Sequence, residues 1–457
     1  MSRSKKLCIL AGVLVIVCIA ALIALNINEK QEQIKTSGET VFELDPDKVT
    51  AVSWVYDGTT LGFSRTDDGW QYDDDADFPV STDAIDNLLE TFREFGASFT
   101  IENADDLGQY GLDDPTCTIT LTTDDEIYTI KLGDFSTMDS QRYVDIGDGN
   151  VYLAASDPLN VYGVGLKSLI ANDEVPSLDS VSKISFSGTA GYSIVYDADG
   201  KSICSDDVYF TSEGKALDTD LVSSYLSSIS YLDLTDYVTY KASDADLESY
   251  GLDDPELKIT VSYTDDDDKS GSFTLSISRD PDELANASDS DSESEEDADD
   301  ITAYARVGTS NIVYKISGSS YNALMAAGYN DLRHKEIFSG SFDEVTSIDI
   351  SLDGESYTLT LSSGSWKLDG EEIDISDLQS ALVGLSAEDF TDEKASLKQE
   401  ISLTLHLDNE DYSELTLEFY RYDGSLCLSL TDGESTALVD RSDVVSLTEA
   451  VRAIVLD

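Results

Sequence analysis

One segment of this chain occurs twice, and that constrains the fold more than any other feature. Tyr110-Gly111-Leu112-Asp113-Asp114-Pro115 recurs 140 residues later as Tyr250-Gly251-Leu252-Asp253-Asp254-Pro255. Leu107 and Leu247 precede the two hexapeptides at equal spacing. Cys117, Ile119 and Leu121 then alternate after the first as Leu257, Ile259 and Val261 do after the second. Alternation with period two marks a strand with one buried face. A chain of 457 residues exceeds one ordinary core, and a duplicated segment of this kind points to tandem copies of one unit.

A second pattern occurs three times. Ser81 is followed by Ile85, Leu88, Leu89 and Phe92, Asp218 by Val222, Tyr225, Leu226 and Ile229, and Asp374 by Leu378, Ala381, Leu382 and Leu385. Each apolar set has the i, i+3, i+4, i+7 spacing of one helix face. Ser81, Asp218 and Asp374 are the expected N-caps, whose side-chain oxygens satisfy free backbone N–H groups. The apolar residue before each cap (Val80, Leu217, Ile373) is placed to staple onto Ile85, Val222 and Leu378.

Strands flank each helix. Val49–Trp54, Val181–Phe186 and Val345–Ile350 resemble one another, and each is followed by a second strand and a Gly-containing turn. Further alternating strands follow the helices, as in Tyr128–Leu132, Phe273–Ile277 and Leu415–Phe419. The expected fold class is α+β, with three diverged ββ-α-ββ(β) units and mainly antiparallel sheets. The expected boundaries are a basic tail at 1–6, a membrane span at 7–27, a linker at 28–48, and units at 49–171, 180–330 and 343–457. The third unit lacks the hexapeptide and is shorter. An acidic Ser/Asp/Glu run at 288–300 has no apolar surface to bury and reads as a mobile loop in the second unit.

The hexapeptide looks like an active-site signature, but its local physics describes a helix stop. Gly111 and Gly251 suit the left-handed position that ends a helical turn. Leu112 and Leu252 would then pack back on Leu107 and Leu247. Pro115 and Pro255 prevent continuation and lead into a strand.

The N-terminus supplies the placement. Arg3, Lys5 and Lys6 precede an apolar run of 21 residues, Leu7–Ile27, about the length needed to cross a bilayer core. With the basic flank held in the cytoplasm, the body is expected outside the cell membrane, on a single-pass anchor in the lipid bilayer. A cleaved secretory signal is the rival, but its apolar core would be shorter and no small-x-small cleavage site follows. Neither Cys8, after Leu7, nor Cys18, after Val17, has the small preceding residue that lipidation needs.

Charge and residue inventory exclude several functions. Asp plus Glu number 92 against 28 Lys plus Arg, a net charge of −64, which disfavours nucleic acid as a partner. Cys117, Cys204 and Cys427 are scattered singly, so neither a zinc motif nor a redox pair is written in the sequence. Cys117 stands where the other copy has Leu257 and reads as core. Only His334 and His406 are present, in a charged linker and on the polar side of a strand. No local motif supplies a nucleophilic triad, a zinc hydrolase site, a phosphate loop or a dinucleotide fingerprint. Asp145–Asn150 and Asp197–Gly200 are oxygen-rich but lack the EF-hand register and read as hairpin turns. No catalytic, cofactor-binding or metal residue is therefore assigned from sequence, and no cofactor is expected.

At the hexapeptides the chain resembles the DUF4340 family of bacterial envelope proteins. The resemblance extends through Lys131-Leu132-Gly133-Asp134, Arg142-Tyr143-Val144, Val151-Tyr152-Leu153 and Asp331-Leu332-Arg333-His334-Lys335-Glu336-Ile337-Phe338. His334 replaces the family's usual Asp in that last stretch. The resemblance implies a membrane-anchored protein of unassigned biochemistry, with some relatives similar to accessory components of ABC-type export or gliding-type transport. It offers no catalytic residue to carry over. The expected role is a non-catalytic, extracytoplasmic scaffold that binds a protein partner in the envelope. The alternative is a glycan-acting envelope enzyme with two carboxylates in a deep, aromatic-lined pocket.

Overall fold

The computed structural model describes residues 38–178, 180–265, 267–288, 300–409 and 411–456. The expected membrane span at 7–27 and most of the acidic run at 288–300 lie outside the described residues. Among the described residues, no helix is long and apolar enough to cross a membrane.

Among the described residues the protein is α+β, built on three sheets of nine, eight and nine strands. Each copy begins with a strand of eight residues, Val49–Tyr56, Val181–Gly188 and Val345–Leu352. That strand pairs antiparallel with the strand entered after the helix, which begins at Cys117, Leu257 or Gln399. Buried residues meet across these central pairs: Val52 opposite Leu121, Ile184 opposite Val261, and Ile348 opposite Leu405. Alternating side chains therefore form one apolar face on each sheet, as the sequence pattern requires.

The three copies share a detail finer than the pattern. Each first strand carries a bulge after its first residue, so Thr50, Ser182 and Thr346 have no partner in the ladder. In each case the bulged hydroxyl donates to a carbonyl of the opposing strand: Thr122 at 3.2 Å, Ser262 at 3.2 Å and His406 at 3.0 Å. A bulge leaves a residue out of the pairing, and a short hydroxyl side chain re-engages it with the partner strand.

The helices Thr82–Glu90, Thr219–Ser230 and Ser376–Val383 bury the expected faces. Ser81 accepts from the Ala84 N–H, and Asp218 from those of Asp220 and Leu221, as expected of caps. The third cap differs. Ile375 occupies the cap position, its carbonyl accepting the Gln379 N–H, while Asp374 accepts the Ser376 N–H from one residue further out. Buried tyrosines tie two helices to their surroundings, with Tyr162 donating to the Leu88 carbonyl and Tyr225 to that of Leu324, both at 2.9 Å.

Each unit has more strands than the expected ββ-α-ββ(β). Directly after each helix comes a strand, Glu94–Ile101, Tyr237–Thr239 or Ala387–Phe390, that joins the far end of its own sheet. The helix thus carries the chain from one side of the sheet to the other, and a meander fills the space between. The third copy keeps the order of eight strands common to the three sheets and adds Glu371–Ile373 at the edge beside Ser365–Leu368, so its shortness lies in its connections. Part of the stretch read as linker is also structured. Glu39–Glu43 pairs with Glu94–Ala97, and Leu44 is buried.

The chain divides into two compact units. One comprises Met1–Asp173 with Thr239–Lys241, and the other Glu174–Val238 with Ala242–Asp457. The first sheet belongs to the former and the third to the latter. The core of the third sheet also takes in Val444, Leu447 and Val451 of the C-terminal helix Arg441–Leu456.

Candidate functional site

The hexapeptides end helical turns. Gly111 and Gly251 adopt φ values of 68° and 67°, and the N–H groups of Leu112 and Leu252 donate to the carbonyls of Leu107 and Leu247 at 3.1 and 2.8 Å. Leu252 and Leu247 share a buried cluster with Val313, and Leu112 is fully buried. In the first copy the turn is a 3-10 helix, Gly108–Tyr110, and in the second an α-helix, Asp244–Ser249. Asp113, Asp114, Asp253 and Asp254 all point to solvent. In the oxygen-rich turns, Asp145 accepts the Gly147 N–H and Asp197 the Asp199 N–H, so these carboxylates brace their own turns.

The cysteines separate by burial. Cys117 and Cys427 are sealed in sheet cores, and burial pushes their thiols up to about 12 and about 11. Cys204 is half-buried, and burial raises its pKa as well.

Cys204 lies in the loop between the strands Ser193–Tyr196 and Tyr209–Thr211. In the other copies the corresponding connections are two-residue turns, at 67–68 and 363–364. The longer loop of the second copy is held at both ends of its course. The Asp197 N–H donates to the Val208 carbonyl, and the Val208 N–H to Thr219 Oγ1 at 2.9 Å. Ile203 packs on the core of the third sheet. Lys201 pairs with Asp411, and the Tyr412 hydroxyl donates to the Lys201 carbonyl.

This loop delivers Cys204 and Asp207 to His334, from which Asp207 is 127 residues distant in sequence. The Asp207 side chain is 1% exposed and that of His334 19%. The Asp207 carboxylate takes hydrogen bonds from His334 Nε2 at 2.9 Å and Ser202 Oγ at 2.6 Å. Asp218, the helix cap, gives its Oδ1 to two backbone N–H groups and turns Oδ2 toward His334 Nδ1 at 3.5 Å. Glu336 Oε2 lies 3.7 Å from the same nitrogen. The backbone fixes this meeting, because the Asp218 N–H donates to the Leu332 carbonyl and Glu336 bridges to Ser386. The His334 pKa is raised, first by the hydrogen bond to Asp207 and then by the charges of Asp207, Asp218 and Glu336, against the opposing effect of burial.

The cluster lines an open cavity of about 380 Å³. Asp206 and Asp220 also line it, making five carboxylates with Asp207, Asp218 and Glu336, and no Lys or Arg is among its lining residues. A site so arranged attracts cations. Two donor sets of metal-binding type meet at one imidazole: Cys204, Asp207 and His334, and Asp218, His334 and Glu336. His406 is also flanked by acids, with Asp349 at 2.8 Å and Glu414 at 3.4 Å on opposite ring nitrogens, but it lies on an open strand surface.

Two stretches, residues 70–240 and 209–403, match the family model described as Domain of unknown function (DUF4340). The chain belongs to the DUF4340 family. Nothing matches among curated proteins, and no solved structure matches. Each DUF4340 match starts at the last strands before a copy's helix and runs into the copy that follows, so the connection between copies is part of the family's recurring unit. The His334 segment lies inside the second DUF4340 match. Its counterpart in the first is fixed by a shared bond, the Ser81 N–H donating to the Leu169 carbonyl as that of Asp218 does to Leu332. By that alignment Ser81 stands for Asp218 and Ala171 for His334, so the imidazole site is particular to the second copy.

Proposed function

We propose that this DUF4340 protein is a non-catalytic scaffold of the cell envelope. It is held to the membrane by the Leu7–Ile27 segment and presents its three sheet units outside, where they bind a protein partner. The family resemblance makes an ABC-type transport system the first place to look for that partner. The placement rests on the apolar 21-residue run behind Arg3, Lys5 and Lys6.

The observation that carries the binding role is a groove of about 740 Å³ on the first unit. Phe99 and Met138 line it and are 60% and 92% exposed. Large apolar side chains left open on so acidic a surface favour a partner that covers them. Asp139 is the groove's one acidic lining residue.

The test places a photo-crosslinking residue at position 99 or 138 of the full chain in its native membrane. Recovery of a discrete protein adduct, lost in Phe99→Asp and Met138→Asp, supports the scaffold. Failure to recover a partner, together with a turnover abolished by a single Asp or Glu substitution, replaces it with the enzyme.

A further inference from the structure

We propose that Asp218 Oδ2, His334 Nδ1 and Glu336 Oε2 form a binding site for one divalent first-row transition-metal ion of the zinc class. Asp207 acts as the positioning residue.

The imidazole is held from its far side. Nε2 faces the buried Asp207 carboxylate at 2.9 Å, so in the neutral ring Nε2 carries the proton and Nδ1 presents its lone pair. Metal-bound histidines are oriented in this way, by a carboxylate on the far nitrogen. Asp218 is equally fixed. Two backbone N–H groups hold Oδ1, which leaves Oδ2 toward Nδ1.

The separations then discriminate between occupants. Nδ1 lies 3.5 Å from Asp218 and 3.7 Å from Glu336, at or beyond the limit of a hydrogen bond. Two ligands on a tetrahedral zinc-class ion, with bonds of ~2.0–2.1 Å, stand ~3.3–3.4 Å apart. Each oxygen needs to move only a few tenths of an ångström toward Nδ1 to meet that spacing, and the three donor atoms lie within 4.8 Å of one another. The helix that Asp218 caps opposes a cation with its partial positive end, but five carboxylates around the cavity outweigh about half a charge. An imidazole donor selects against calcium and magnesium, which prefer all-oxygen sites. Three protein ligands leave a fourth position for water from the open cavity.

The site joins the helix cap of the second copy to the connection leading into the third, so an ion there would clamp the two together. It stands independently of any partner the scaffold binds.

The test uses the full chain in detergent micelles, stripped with chelator and titrated with Zn²⁺ by calorimetry and with Co²⁺ by visible absorption, at salt high enough to screen the acidic surface. The expected result is one equivalent bound, with the intense Co²⁺ bands of a tetrahedral site. His334→Ala abolishes it. Glu336→Gln, at a side chain 55% exposed where folding is not at stake, weakens it strongly. Asp207→Asn weakens it 10- to 100-fold. Cys204→Ser leaves stoichiometry and spectrum unchanged. The proposal is overturned if the wild type takes up neither ion, or if His334→Ala or Glu336→Gln binds as the wild type does. A thiolate charge-transfer band lost in Cys204→Ser also overturns it, by seating the ion between Cys204 and Asp207.

Discussion

Replacing Gly251 by alanine tests whether the repeated hexapeptide is a helix stop or a functional signature. At φ 67° an L-residue pays about 1–2 kcal/mol for the left-handed conformation. The new Cβ would also lie 3.2 Å from Ser278 Cβ and 3.3 Å from Pro281 Cγ, a tight fit that small side-chain shifts relieve. The expected total is about 2 kcal/mol, or roughly a 30-fold change in a local opening equilibrium. Gly111→Ala should cost more, about 3–4 kcal/mol, because its Cβ would stand 2.9 Å from the Asp134 backbone nitrogen, which cannot step aside. The assay is native-state hydrogen exchange followed by mass spectrometry. The Leu252 N–H, bonded to the Leu247 carbonyl at 2.8 Å, should exchange about 30-fold faster in Gly251→Ala. Asp253→Asn and Asp254→Asn should leave it unchanged, since both carboxylates face solvent. If Gly251→Ala exchanges like the wild type while the aspartate variants abolish partner recovery, the helix-stop reading is refuted.

Other expectations follow from burial and charge. Leu382→Ala, in the core of the third sheet, should destabilise that unit by about 2–5 kcal/mol, measured by urea unfolding. Tyr225→Phe should cost about 1–2 kcal/mol by leaving the Leu324 carbonyl unsatisfied. Under native alkylation and peptide mapping, Cys204 should react ahead of Cys117 and Cys427, whose thiols burial holds at about 12 and about 11. Asp75 is held down to about 2, chiefly by its hydrogen bond to Lys241 and then by that to Tyr240. A carboxylate depressed on folding stabilises above its unfolded pKa of about 3.9 and loses that contribution as pH falls through the folded value. Acid unfolding of Lys241→Met should therefore lose pH dependence between about 4 and about 2, and an unaltered profile would count against the pair.

The helices and central strands were legible because their residues obey one period at a time. Ile85, Leu88, Leu89 and Phe92 can share a face only on a helix, and Cys117, Ile119 and Leu121 only on a strand. The bulges were not legible, although Thr50, Ser182 and Thr346 mark them, because a hydroxyl among alternating residues looks like an ordinary solvent-facing position. Two of the strands that follow the helices, Tyr237–Thr239 and Ala387–Phe390, are short and carry too little alternation to stand out. Asp374 looked like a cap because its side chain does take a backbone N–H, yet the helix begins one residue later than the pattern implies. The His334 cluster was illegible for a different reason. Its members come from a loop, a helix cap and a connection between copies, and only the fold brings them together. The one available signal was His334 itself, standing where the resemblance leads one to expect an aspartate.

Three diverged copies of one antiparallel unit make up the body. A crystal structure of the chain, read at the third copy, tests this most directly. The expected result is that Ala387–Phe390 joins the far edge of the third sheet beside Glu434–Asp440, and that the Thr346 hydroxyl caps a bulge on the His406 carbonyl. A third unit with another strand order, or with no bulge at Thr346, would contradict it.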